Sequence, residues 1–262
     1  MFFLLTNFEF HLDSFLLYCT SKNLSKKTLQ SYEQALMLFS QFLDEQYSIT
    51  EVDKVKTGHI RQYLDNLGKR GKYTVVIDET KKHINKPDKR NDYAKPLSST
   101  TKANYLRNIK VFFNWLFKEG EIPKNPVKKI EMIQPKRKAK RALLPMELKR
   151  ISNIFPKTVF HGYRNNVIFK FLLDTGARIG ETLEIKDSDI DLNFKVVTLR
   201  DTKGGDERNV YMSQKMLSEM KNWLNYKDRW VNTDYTFPTK SGTKLTVSSY
   251  EKQLTSIGNQ VG

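Results

Sequence analysis

The spacing of apolar residues predicts four amphipathic helices in the first half of the chain. Each helix carries apolar residues three or four positions apart, which places them on one face. The predicted helices cover residues 8–20, 25–46, 57–67 and 98–119. Thr57 is expected to cap the third helix, and Gly68 and Gly71 are expected to mark where it stops. The basic stretch 69–97 is expected to be a long loop or small hairpin, with a β-like patch at 73–77.

A different pattern in the second half predicts a mixed α+β region. One helix starts at Pro145, and a second, with its apolar face around 167–172, ends before Gly176. Residues 193–212 read as two short strands around a Gly-Gly turn, which predicts a β-hairpin. Further helices are expected after the capping residue Ser213 and from about residue 247.

Proline and like charges separate the two halves. Both proline stiffness and charge repulsion oppose packing of this stretch into a core. We therefore predict a helical domain at 1–125, a basic linker at 126–142 and a second domain at 143–262. The linker is either a solvated connector or a tether that follows a phosphate backbone, and we favour DNA contact. Its candidate contacts are Lys136, Arg137, Lys138, Lys140 and Arg141.

The charge of the chain favours a polyanion as partner. Lys and Arg number 45 against 29 Asp and Glu, a formal net charge of +16. Such an excess destabilises a compact fold by self-repulsion unless a polyanion neutralises it, so nucleic acid is the leading partner. A merely soluble basic protein is the alternative. No segment approaches the roughly 20 apolar residues that cross a bilayer, and a cytoplasmic location on bacterial or mobile-element DNA is expected.

One arginine follows a glycine turn at the predicted start of a short helix. The sequence DTGARIGE covers residues 174–181 and contains Arg178. A helix start offers unpaired backbone N–H groups, and a guanidinium binds two phosphate oxygens through a fixed fork that lysine lacks. The arrangement therefore suits a phosphate. An ordinary surface arginine is the alternative.

This segment resembles the T-G-x-R-x-x-E box of the tyrosine recombinases, the phage integrase family. The acidic stretch DSDID at 187–191 follows it at the expected distance. The resemblance implies cleavage and rejoining of DNA strands through a phosphotyrosyl intermediate. It assigns Arg178 to the first of two arginines that hold the scissile phosphate, and Glu181 to the acidic residue that supports the site.

A second segment, RDTKGGDER at 200–208, resembles the G-K-G-x-x-x-R hairpin of the same family. The resemblance assigns Lys203 to the lysine that protonates the departing 5′ oxygen. A place at the tip of a hairpin would let the ammonium enter a DNA groove and donate that proton. A lysine beside a hairpin turn is otherwise a solvated residue. Thr202 stands where the family usually has glycine.

The first half resembles the core-binding domain of these recombinases. The predicted fold is therefore mainly α with a small β component: a four-helix SAM-like domain, then a partial catalytic domain with a small antiparallel sheet. The fourth helix carries Lys102, Arg107 and Lys110 on its polar side as candidate contacts to double-stranded DNA. A solvated helix face is the alternative for each. Other protomers on paired sites are further expected partners.

Later parts of the family's active site do not occur in these residues. The resemblance requires an attacking tyrosine and a second arginine in an H-x-x-R box, with no metal or cofactor. No H-x-x-R follows Lys203, because the last histidine is His161. No tyrosine is assigned as nucleophile. Residues 258–262 resemble the turn before the missing box, so a truncated protein that binds DNA without cutting it is expected.

Two other functions fit the charge. A non-catalytic DNA-binding protein could keep the DNA-binding surface and occupy a recombination site without cutting it. A general RNA-binding protein is disfavoured, because the sequence has no RNP-like aromatic strand and no G-x-x-G clamp.

Overall fold

The computed structural model describes residues 5–77, 86–135, 141–200 and 206–261. The chain forms two compact units, residues 1–139 and residues 140–262. Both are mainly helical, and the second also carries a three-stranded antiparallel sheet. This confirms the predicted fold class. Across the described ranges, no helix combines the length and the apolar character that crossing a bilayer requires.

Four long helices build the first unit. They are α1 (Asn7–Ser21), α2 (Lys26–Tyr47), α3 (Thr57–Lys69) and α4 (Ser99–Lys118). Hydroxyl groups cap three of them: the side chains of Thr6, Ser25 and Ser98 each accept the N–H of the residue three positions later. These caps fix where α1, α2 and α4 begin, and so which residues of each helix face inward.

Aromatic rings from three helices meet at the centre of the first unit. Phe8 of α1, Phe39 of α2, and Phe112 and Phe113 of α4 are fully buried. Their ring centroids lie 5.3–6.5 Å apart in the contacting pairs. Rings at such distances attract each other beyond the gain from burial alone. The predicted apolar stripes are thus the buried faces of these helices.

Two local predictions for the first unit were wrong, and a third was close. Thr57 does not cap α3; it is the first helical residue, and its hydroxyl donates to the Pro126 carbonyl at 2.7 Å. The helix ends at Lys69, between Gly68 and Gly71, the two glycines expected to stop it. Residues 73–77 form no strand, and Tyr73 turns the chain with a φ of +63°.

Part of the stretch that composition assigned to the linker packs inside the first unit. Val127 and Ile130 are buried in the same core as the phenylalanines. The ammonium of Lys110 also donates to the Ile130 carbonyl. The two apolar positions are too few to stand out among prolines and lysines, which is why the composition alone concealed them.

The described part of the second unit contains five helices and three strands. The helices are α5 (Pro145–Ile154), α6 (Phe160–Thr175), α7 (Ile179–Glu184), α8 (Gln214–Asp228) and α9 (Val247–Val261). The strands are β1 (Ile190–Asp191), β2 (Val196–Leu199) and β3 (Arg208–Tyr211). Val197 of β2 lies opposite both Ile190 and Val210. The predicted hairpin is confirmed, whereas Gly258, expected in a turn, lies within α9.

A buried tryptophan and a buried lysine anchor the end of α8. Trp223 is fully buried, and its indole N–H donates to the Thr236 carbonyl at 2.8 Å. One turn later, the ammonium of Lys227 is fully buried against the carboxylate of Asp187. The Thr236 hydroxyl donates to the same carboxylate at 3.0 Å. A buried charge is stable only with such partners, so the acidic stretch 187–191 is fixed from its first residue.

Gly162 in α6 provides a test of this packing. A methyl group added there would lie 2.1 Å from the carbonyl oxygen of Pro156, so helix or loop would have to move. Gly162→Ala should lower the free energy of unfolding by about 1–3 kcal/mol, measured by urea denaturation. The matched control is Gly258→Ala in α9, where nothing lies within 4 Å of the added methyl and a gain of about 0.5–1 kcal/mol is expected. Equal effects of the two substitutions would contradict the packing described.

Candidate active site and nucleic-acid interface

A left-handed glycine places Arg178 at the start of α7. Gly176 closes α6 with a φ of +67°, and its N–H donates to the Leu172 carbonyl. Arg178 follows in an extended conformation as the residue before α7. Its side chain is 62% exposed. The turn therefore presents the guanidinium to solvent, as the sequence predicted for a phosphate-binding arginine.

Glu181 holds this arginine from inside the protein. Its carboxylate is 3% exposed and accepts three hydrogen bonds: the Arg178 N–H at 3.0 Å, the Arg178 guanidinium at 2.6 Å and the Arg208 guanidinium at 2.7 Å. Burial alone would raise the pKa of Glu181, but the hydrogen bonds from the two arginines outweigh it and lower the pKa below its ordinary value. Glu181 is therefore a buried anion.

Arg208 joins the site from the sheet, and sequence reasoning missed it. As the first residue of β3 it lies opposite Leu199, which directs its side chain toward α7. Two guanidinium groups on one carboxylate leave one positive charge in excess. Arg208 is 40% exposed, so both arginines keep N–H donors free for an incoming anion. The final letter of the G-K-G-x-x-x-R pattern was the signal that could have identified it.

A second buried carboxylate fixes the base of the hairpin. Asp189 accepts the Arg200 Nε–H at 2.5 Å and the Lys186 N–H at 2.9 Å. Arg200 also reaches Glu207 across the hairpin at 3.1 Å. Both chain ends that lead into the turn are thereby tied down. Lys203, the predicted proton donor, lies in residues 201–205, outside the described residues.

A small groove lies beside these two carboxylates. Its volume is about 180 Å³, and Glu181, Asp189 and Arg200 are among its lining residues. A larger groove of about 650 Å³ lies between α5, α6 and α8, and neither Arg178 nor Arg208 lines it. The arginines lie on an open surface, which suits a large anionic ligand better than an enclosed small molecule.

Two further polar side chains are buried inside the second unit. Arg164 is 3% exposed and donates to the Pro238 carbonyl at 2.6 Å, and burial lowers its pKa to about 10. Tyr250 is also buried, which raises its pKa. No cluster of three or more potential metal ligands occurs among the described residues.

The predicted contacts of the first unit have different surroundings. Arg107 of α4 is exposed and Lys102 is half-buried, whereas Lys110 is engaged with the Ile130 carbonyl. In the predicted linker, Arg141 pairs with Glu147 at 2.5 Å. The other linker candidates lie outside the described residues: Lys136, Arg137, Lys138 and Lys140.

Comparison with known proteins gives matches in both units. The Phage integrase family matches residues 141–262, and the phage integrase N-terminal SAM-like domain matches residues 12–77. Tyrosine recombinase XerA of Pyrococcus furiosus is 27% identical over 256 residues, 96% of this chain and 73% of XerA. A probable integrase/recombinase of Methanocaldococcus jannaschii is 28% identical over 162 residues, 59% of this chain and about half (48%) of that protein.

A solved structure has the same fold. A lambda integrase dimer bound to a COC′ core site superposes with a TM-score of 0.68 at 15% identity, covering 96% of this chain and 80% of that one. At 15% identity, this similarity shows a shared fold.

The ion pairs of Glu181 should stabilise the protein at neutral pH, and this stabilisation should be lost in acid. Because the folded-state pKa is lowered, the contribution is complete above the unfolded-state pKa of about 4.3 and is lost as pH falls through the folded value. Glu181→Gln should lower the free energy of unfolding at pH 7 by about 1–3 kcal/mol. The difference from the wild type should shrink at pH 3, as measured by urea titration at both pH values.

Glu207→Gln is the matched control for this prediction. Glu207 is 57% exposed and pairs with Arg200 at 3.1 Å, so its substitution should change stability by less than about 0.5 kcal/mol. Equal losses in both variants, or a Glu181→Gln difference that stays constant with pH, would show that the three hydrogen bonds do not stabilise the fold.

Proposed function

The chain belongs to the phage integrase family, and from this premise we propose that it serves in site-specific DNA recombination, the cutting and rejoining of DNA strands. The observation that carries the proposal is the pair of arginines, Arg178 and Arg208, on the buried carboxylate of Glu181. That arrangement offers fixed guanidinium donors at an exposed surface, which is what binding of a phosphodiester requires.

Each residue of the site has a proposed role. Arg178 holds the scissile phosphate and offsets the charge that develops on its oxygens. Glu181 positions Arg178 and keeps it from folding back onto other acids. Lys203 donates a proton to the departing 5′ oxygen. The proposed role of Lys203 rests on its place in the G-K-G-x-x-x-R pattern.

Double-stranded DNA is the proposed partner. Lambda integrase, which has the same fold, is described as a dimer bound to a core site, and this chain carries a net charge of +16. We assign DNA contact to Lys102 and Arg107 of α4 and to the basic linker at 126–142. Protomers associated on paired DNA sites and a cytoplasmic location belong to the same proposal.

A second function is favoured by one observation. No histidine occurs after His161, so no H-x-x-R box follows the Arg178 box within these 262 residues. The alternative is a non-catalytic DNA-binding protein that occupies a recombination site without cutting it. The two functions separate on a nicked duplex: a covalent protein–DNA adduct supports strand cleavage, and a gel shift without an adduct supports binding alone.

Arg178→Ala tests the role of the arginine in binding. Because it removes one phosphate contact among many, the slope of log K against log salt should fall by about 0.9, with only a small loss of affinity for a 30-bp duplex at low salt. Fluorescence anisotropy over a salt series measures this slope. Arg229→Ala, an exposed arginine at the end of α8, is the control and should leave the slope unchanged. Loss of all binding in Arg178→Ala, or equal slopes in both variants, would refute the assigned role.

A further inference from the structure

The connection between α3 and α4 is a folded element. It comprises residues 70–77 and 86–97 in the described structure, and its two ends pair as a short antiparallel bridge between Gly71 and Pro96. The Lys72 N–H donates to the Lys95 carbonyl at 2.9 Å, and the Ala94 N–H donates to the Lys72 carbonyl at 3.0 Å. The two chain segments thus leave and rejoin the helices side by side.

Gly71 makes this close approach possible. A methyl group at its position would lie 2.4 Å from the Cα atom of Ala94. The two backbones therefore pack closer than any side chain allows. This contact distinguishes the connection from a solvated loop, whose ends have no fixed separation.

Basic and aromatic side chains cover the element. Its described residues include six Lys or Arg and two Asp. Asp92 lies between two of the cations, 3.4 Å from the Lys72 ammonium and 3.3 Å from the Arg90 guanidinium. The Arg90 guanidinium also lies 4.2 Å from the ring centroid of Tyr73, within the range of a cation–π contact. Asp92 and the Tyr73 ring thus hold Lys72 and Arg90 in place. Because the cations outnumber the carboxylates, the element keeps a positive net charge.

Three of these lysines, Lys86, Lys89 and Lys95, have no such partner among the described residues. Lys89 and Lys95 are exposed, and neither forms an ion pair with any described residue. Lys89 ends a short 3₁₀ turn that begins at the buried Pro87, and Lys95 lies beside the bridge to Gly71. Their ammonium groups are therefore held on a folded element while remaining free to bind an anion.

The connection begins close to Lys102, whose ammonium lies 3.7 Å from a methyl group placed at Gly68. A groove of about 300 Å³ lies between the connection and the helices, and one of about 150 Å³ lies between α2 and α4. Both are lined by Gln34, Thr101 and Tyr105. Arg70, at the start of the connection, lies 5.8 Å from the ring centroid of Tyr105. The two grooves thus form one concave strip from the face of α4 to the connection.

Most of this element lies outside the regions that match the family. The matches cover residues 12–77 and 141–262, so residues 86–97 with Lys89 and Lys95 belong to neither. Family membership alone therefore assigns no role to them.

We propose that the α3–α4 connection is an additional binding site for the phosphate backbone of duplex DNA, with Lys89 and Lys95 as its phosphate contacts. The inference rests on the proposed function, because it extends the DNA surface of α4. Each ammonium that neutralises a phosphate releases a counterion, which adds affinity without reading sequence. The Lys102 ammonium lies beside Gly68, two residues before the connection begins, so one duplex can reach the contacts on α4 and those on the connection.

The test is the double variant Lys89→Ala/Lys95→Ala on a 30-bp mixed-sequence duplex. The slope of log K against log salt should fall by about 2, since each contact contributes about 0.9. The control is Lys118→Ala/Lys124→Ala, which removes the same charge from two exposed lysines. Lys118 ends α4, roughly 28 Å along the helix from its start, and Lys124 lies beyond that end. Circular dichroism confirms that both variants are folded. An unchanged slope in Lys89→Ala/Lys95→Ala, or equal slopes in the two double variants, overturns the inference.

Lysine acetylation of the unmodified protein gives an independent readout. Lys89 and Lys95 should react more slowly in the presence of the duplex, whereas Lys118 should react at the same rate with and without it. Unprotected Lys89 and Lys95 overturn the inference even if the DNA is bound. A wild-type protein that does not bind the duplex refutes the proposed function itself. Protection by an RNA of equal length but not by the duplex overturns DNA as the partner.

Discussion

The carboxylate of Glu181 is the interaction on which the arrangement of the second unit depends. It accepts the N–H and guanidinium of Arg178 at the start of α7 and the guanidinium of Arg208 at the start of β3. One buried charge thereby joins a helix start to a strand that lies almost thirty residues later in the sequence. Burial of an unpaired carboxylate would cost several kcal/mol, so both arginines stabilise the fold. The residues that would hold a phosphate are thus oriented by the same contacts that stabilise the fold.

The same principle repeats along the acidic stretch that follows. Asp187 is paired with the buried Lys227, and Asp189 with Arg200. These acids lie where they fix a turn, a helix end and the base of a hairpin. Because they are paired within the protein, they do little to offset the lysines and arginines of the exposed surface. The net charge of +16 favours the electrostatic attraction of a polyanion.

The sequence predicted the helices well because their signals are local. Ser213 caps a helix as expected, Ser25 and Ser98 lie where helices were expected to begin, and Gly176 ends α6 with a positive φ. What it missed depends on contacts between distant residues. Arg208 becomes part of the site only through the register of β3, and Val127 belongs to the first core only because the chain folds back onto α3. Thr57 has the composition of a cap, but its hydroxyl finds the Pro126 carbonyl, 69 residues later. A single sequence contains no local signal for such pairings.

The same limit explains why residues 69–97 looked like an ordinary basic loop. Their composition is polar and charged, and the β-like patch at 73–77 suggested the wrong local structure. The element is organised instead by a backbone bridge at Gly71 and by the shared partners of Asp92. A surface loop with this charge would bind phosphate only weakly, because ordering it costs roughly 1–2 kcal/mol for each residue that is fixed. In this loop the ends are already bridged and the cations already positioned in the folded protein. Much of the conformational entropy is therefore lost during folding and not on binding. Preorganisation therefore converts a charge excess that is common on protein surfaces into a defined binding surface.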